Sequence, residues 1–105
     1  MMRNMKNGKK MKSKLPKWFD GAKYKQGDTV TNPFSGEEYY LNRDELSMYD
    51  FLKGAEYTLM IAQQQILDGK KEEASEWEKA LVDDFDKGRD WFRKNNSDAY
   101  MTLLD

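Results

Sequence analysis

Cysteine and histidine are both absent from this sequence of 105 residues. Without cysteine there is no disulfide framework and no thiolate nucleophile, and without either residue there is no zinc site of the usual kind. No imidazole is present to serve as a base or a switch near neutral pH. The Glu-x-x-His signature of di-iron bundles is excluded for the same reason. β-Branched residues are scarce, at two Val, two Ile and four Thr, which argues against a mainly β protein. No stretch approaches the roughly 18 apolar residues of a membrane span. The N-terminal residues are basic but lack an apolar segment, so they do not read as a secretory signal, and an intracellular protein with no membrane role is the expectation.

Aliphatic residues are also thin. Leu, Ile, Val and Phe together number 18, but 14 aromatics and 7 methionines make up the deficit. A chain of this length accommodates one domain with a modest core, anchored here by rings where other proteins use Leu and Val.

Charge is abundant and unevenly placed. Residues 1–17 carry Arg3, Lys6, Lys9, Lys10, Lys12, Lys14 and Lys17 and no acid, while the remaining 88 residues carry 11 basic and 19 acidic side chains. A tail of +7 thus precedes a body of −8. Residues 1–17 are expected to be a flexible tail, disordered alone, and residues 18–105 a single α-rich domain. The seven basic residues are candidate phosphate contacts for DNA or RNA. The competing reading is a leader that folds back on the acidic body. No aromatic precedes Trp18, so base stacking is not indicated.

The fold class expected is mainly α: an antiparallel hairpin of two long helices plus a short C-terminal helix, preceded by a small β-hairpin. Within residues 18–41, Thr29-Val30-Thr31 and Glu37-Glu38-Tyr39-Tyr40-Leu41 flank the turn residues Asn32-Pro33-Phe34-Ser35-Gly36. Asn42 followed by Glu45 is a capping-box arrangement that starts a helix over 43–67, and Gly69 ends it. Acidic residues from Glu72 and basic Arg93 and Lys94 suit the two ends of a second helix over 71–95. Ser97 then caps a short helix over 98–104. The three residues Asp68-Gly69-Lys70 make the long helices antiparallel neighbours. Counting outward from Gly69 sets Gly54 across from Asp84 and Phe85, and Gly88 across from Phe51 and Leu52. Each glycine is expected to admit a bulky partner. Helical spacing also assigns Trp77, Phe85 and Trp91 to the core. Two helices enclose little by themselves, so either the N-terminal segment and last helix cover the open side or a second copy does. Homo-oligomerisation is left open on that ground.

Catalytic and cofactor motifs are not found. The run from Asp84 to Asp90 superficially resembles a calcium loop, but glycine stands fifth rather than sixth and Asn95 replaces the closing Glu. The five serines have no base beside them, and the glycines are too dispersed to cradle a phosphate. No catalytic, cofactor-binding or metal residue is assigned, and the expectation is a protein that is not an enzyme. Trp18, Phe34, Tyr39 and Tyr40 are the candidate protein contacts, since Trp and Tyr are enriched at interfaces. Strand alternation sends one of Tyr39 and Tyr40 inward and the other outward.

Residues 27–37 (GDTVTNPFSGE) and 41–56 (LNRDELSMYDFLKGAE) resemble short uncharacterised proteins of tailed bacteriophages, particularly those infecting marine bacteria and cyanobacteria. The endings WFRKN (91–95) and YMTLLD (100–105) share the resemblance, which covers 27–105 and omits the basic tail. It implies a viral origin, a place in the host cytoplasm or the virion, and no catalytic residues. The function expected is contact with a host or phage protein, as a virion component or a modulator of a host factor. The alternative is a nucleic-acid accessory protein that binds phosphates through its tail.

Overall fold

The computed structural model describes residues 14–104. Its elements run β1 (Asp28–Thr31), β2 (Glu38–Leu41), α1 (Arg43–Leu67), α2 (Glu76–Asn95) and α3 (Ser97–Leu103). The architecture is mainly helical, with a two-stranded antiparallel sheet ahead of the helices.

Asn32 organises the turn between the strands. Its Oδ1 accepts from the backbone N–H groups of Phe34 (2.8 Å) and Ser35 (3.3 Å), and its backbone N–H donates to the Glu37 carbonyl. Gly36 completes the turn at φ 79°, a conformation that favours glycine. The register pairs Asp28 with Leu41 and Val30 with Tyr39. Leu41 is fully buried, and Tyr39 and Val30 pack on the core from the same strand pair.

α1 begins with the expected capping box. The Glu45 N–H donates to Asn42 Oδ1 (2.8 Å) and the Asn42 N–H to Glu45 Oε1 (3.0 Å). It ends in a Schellman motif: Gly69, at φ 76°, donates to Ile66 O and Lys70 donates to Gln65 O. α2 departs from expectation. It begins at Glu76, five residues later, because Ser75 and Glu78 form a second capping box and Lys71 turns back to bond the Glu78 carboxylate at 2.6 Å. The connector is therefore residues 68–75, not three residues. α3 is capped by Asn96 rather than Ser97, with Asn96 Oδ1 accepting from the Ala99 N–H.

Asn96 also joins the elements. Its Nδ2 donates to Glu45 Oε2 (3.1 Å), and its Oδ1 accepts from Tyr39 Oη (3.3 Å). β2, the start of α1 and the start of α3 meet at this one amide, which satisfies the second carboxylate oxygen of the buried Glu45.

The core lies at one end of the helical hairpin. Phe92, Leu41, Met48, Leu52 and Ala99 are its fully buried apolar members, joined by Phe19, Tyr100 and Leu103. Phe51 packs edge-on against Trp18 (5.9 Å) and Phe19 (5.7 Å), and those two rings are tilted to each other at 6.4 Å. Packing begins before Trp18: Leu15 lies against the core, and the Lys14 carbonyl accepts from Trp91 Nε1 (3.1 Å). No member of the cluster falls between positions 53 and 84. Among the described residues the other half of the hairpin is held by the two helices alone, and the extents are an elongated 59 × 32 × 21 Å.

Gly88 is buried on α2 against side chains of α1. A Cβ there would lie 2.9 Å from Leu52 Cδ2 and 3.0 Å from Met48 Sδ. The expected approach to Leu52 is present. The one expected at Gly54 is not: a Cβ at that position meets nothing within 4 Å, because Gly54 lies about 200° around α1 from Leu52. Trp77 is likewise 63% exposed rather than in the core. It occupies the first turn of α2, at the end of the hairpin that no third layer of the described residues covers.

Candidate contact surface

The turn between β1 and β2 is fastened over the far end of the chain. Asn32 Nδ2 donates to the Thr102 carbonyl at 2.8 Å, across 70 residues of sequence. This places Pro33 and Phe34 beside a groove of about 340 Å³. Leu52, Phe85, Leu103 and Leu104 supply its apolar lining, with Lys53, Glu56 and Arg89 among its polar members. Lys53 pairs with Glu56 at 3.3 Å, and Arg89 bonds Tyr100 Oη at 3.0 Å while lying 5.7 Å from the Phe85 ring centroid. Mixed charges around an apolar floor suit a side chain with an apolar body and polar surroundings, the usual make-up of a contact pocket.

The four candidate protein contacts separate. Phe34 is 95% exposed at the tip of the turn, and Tyr40 is 61% exposed on the outer face of the sheet. Tyr39 is half-buried and hydrogen-bonded to Asn96, as alternation requires of the inward ring. Trp18 is half-buried between Phe19 and Phe51 and belongs with the core. Of the candidate phosphate contacts, Lys14 and Lys17 are exposed. Arg3, Lys6, Lys9, Lys10 and Lys12 lie outside the described residues. The groove residues Lys53, Phe85, Arg89, Leu103 and Leu104 were not singled out from sequence as a site, since nothing local connects them to the turn at Asn32.

Several carboxylates of α2 are engaged by neighbours one turn away. Asp83 pairs with Lys87, and Asp90 pairs with both Arg93 and Lys94. Among the described residues no three acidic side chains converge as a metal cage would need. Hydrogen bonding from Lys94, then its charge and Arg93, holds Asp90 below its ordinary value against the opposing effect of desolvation. The Lys71 hydrogen bond is the largest influence on Glu78 and holds it low, reinforced by the backbone N–H of Ser75. Carboxylates tuned this way stay ionised at neutral pH, the reverse of what a general acid needs. Tyr24 is shifted upward, chiefly by the charge of Asp50.

The lowered Glu78 value has a consequence for stability. A carboxylate held low in the folded chain stabilises it above the unfolded-state value, and that contribution is lost as pH falls through the folded-state value. The melting temperature is therefore expected to fall between about pH 5 and pH 3, less steeply in Glu78→Gln than in the wild type. Thermal melts followed by circular dichroism across that range provide the check. Equal slopes in the two proteins would contradict the assignment.

Among the described residues no helix is long and apolar enough to cross a membrane. Compared with protein-family models, curated proteins and solved structures, the chain matches none.

Proposed function

We propose that the protein acts without catalysis, by contact with another protein, and that Phe34 and the groove beside it receive an apolar side chain of that partner. The observation that carries this reading is the placement of Phe34. A phenylalanine 95% exposed at the tip of a hydrogen-bonded turn gains little for the fold, whereas an exposed aromatic ring is a typical interface anchor. Asn32 holds the turn through bonds to its backbone and to Thr102, so the backbone that carries the ring is in place before binding. Tyr40 extends the same strand pair with a second exposed ring. The resemblance to tailed-phage proteins gives the contact two settings, a structural component of the particle or a modulator of a host factor.

A photo-crosslinking amino acid placed at Phe34 tests this in the cells where the protein works. A discrete adduct with one other protein is expected, absent when the crosslinker replaces Asp86 on α2. Phe34→Ala is expected to keep the wild-type melting temperature and to weaken binding to that protein by about tenfold or more. No specific adduct at Phe34, or full binding by Phe34→Ala, would contradict the proposal.

A further inference from the structure

Residues 57–67 form the longest uncharged run of a chain in which 35% of residues are charged. They make up the last three turns of α1, in the half of the hairpin beyond the core cluster. Ala55 and Ala62 are buried there, and Leu59 and Ile66 are half-buried. Tyr57, Met60, Ile61, Gln64 and Leu67 follow the i, i+3, i+4, i+7, i+10 spacing and project from the opposite side of the helix. They form a seam about 15 Å long. The four apolar members are 43–71% exposed. A helix needs an apolar stripe toward its own core, and α1 has that on its other face; a second stripe toward solvent is surplus to the fold.

We infer that a second copy of this chain covers the seam, with the two α1 helices antiparallel about a two-fold axis. The spacing is self-complementary under that operation. Written as a heptad, Tyr57 and Gln64 fall at position a, and Met60 and Leu67 at position d. Antiparallel pairing sets Tyr57 against Leu67 of the second copy and Met60 against Gln64 of the second copy. Ile61 meets its own equivalent beside the axis. A seam without charge asks for no charged partner. Its two ends carry Lys53 with Glu56 and Asp68 with Lys70, one charge of each sign, so the reversed overlay brings no net repulsion.

The area places the contact among weak, transient interfaces. The four side chains leave roughly 450 Å² open per copy, a large patch for a monomer but about half of one side of a standard interface. The expected complex is a reversible dimer with a dissociation constant on the order of 10 to 100 µM. It leaves the Phe34 groove out of the interface and does not depend on the function proposed for it.

Sedimentation equilibrium on the full chain, from about 5 to 500 µM, tests the inference. The apparent mass is expected to climb from 12.4 kDa toward twice that value. Ile61→Glu is expected to stay monomeric throughout, with unchanged circular dichroism and melting temperature, while Phe34→Ala dimerises as the wild type does. Register is read by oxidation, since the chain has no cysteine of its own. Tyr57→Cys mixed with Leu67→Cys is expected to form the mixed disulfide dimer, and Tyr57→Cys alone to form little. A wild type monomeric at the highest concentration, or an Ile61→Glu variant that associates equally well, would overturn the inference. Efficient coupling of Tyr57→Cys to itself would overturn the antiparallel arrangement.

Discussion

Phe92→Ala is expected to leave most of the chain unfolded at 37 °C. Phe92 is the largest side chain that is wholly buried, and it stands among Leu41, Met48, Leu52, Ala99, Tyr100 and Leu103, which come from β2, α1 and α3. Removing a buried phenylalanine costs about 3–5 kcal/mol, from lost transfer energy and from the cavity left behind. Small domains are stable by only about 5–15 kcal/mol in total. This one has 18 Leu, Ile, Val and Phe residues and concentrates its core at one end, which sets it toward the low side of that range. Among the described residues no second cluster stands by to hold the hairpin if the first loosens. Phe92→Leu fills most of the volume and is expected to cost about half as much or less. Urea unfolding followed by circular dichroism measures both. A shift of only a few degrees in the melting temperature of Phe92→Ala would mean that the core is distributed differently.

Gly88→Leu carries the second large effect, by overfilling rather than emptying. Even a Cβ at Gly88 comes within 2.9 Å of Leu52 and 3.0 Å of Met48, with Trp18 at 3.5 Å. The Cβ alone displaces only the flexible ends of Leu52 and Met48. A leucine adds three further carbons to the same space, and the helices must then separate. Overpacking costs about 1–3 kcal/mol and occasionally more, which for a domain of this size lowers the melting temperature by about 10–20 °C. Gly54→Leu is the matched control. It adds the same side chain to the same pair of helices at a position with nothing within 4 Å, where leaving glycine favours the helix by up to about 1 kcal/mol. The account expects opposite signs for the two leucines. Destabilisation of both by similar amounts would contradict the described packing.

These two glycines also mark what the sequence makes legible. Both were open to the same reading, as small residues kept for a bulky neighbour. Only Gly88 has one, because helical phase decides, and Gly54 is turned away from the face that carries Leu52 and Ala55. Local chemistry was readable wherever the signal and the structure lie within a few residues of each other. The Asn42–Glu45 box, the stop at Gly69 and the turn at Asn32–Gly36 are of that kind. The start of α2 was obscured by competition. Glu72 and Glu73 look like a first helical turn, but Ser75 and Glu78 form a reciprocal cap that removes residues 71–75 from the helix. Trp77 followed the apolar spacing of α2, yet spacing does not say where the third layer ends. Trp18 and Phe34 were alike as candidate anchors. A contact with Phe51 takes one into the core, and a hydrogen bond from Asn32 to Thr102 holds out the turn that carries the other. Contacts of that range leave no trace in a local pattern, which is why the groove under Phe34 emerges only in the folded chain.

One division of the molecule is central: a clamped end that carries the core, and an outer half of the hairpin that, among the described residues, is held by two helices alone. Hydrogen exchange followed by mass spectrometry, in protein dilute enough to be monomeric, tests that division most directly. Amides around Met48, Leu52, Gly88 and Phe92 are expected to exchange slowest, at the rate of global unfolding, and those around Ile61, Leu67 and Val82 to exchange by local opening at least tenfold faster. Equal protection along the full length of α1 and α2 under those conditions would contradict it.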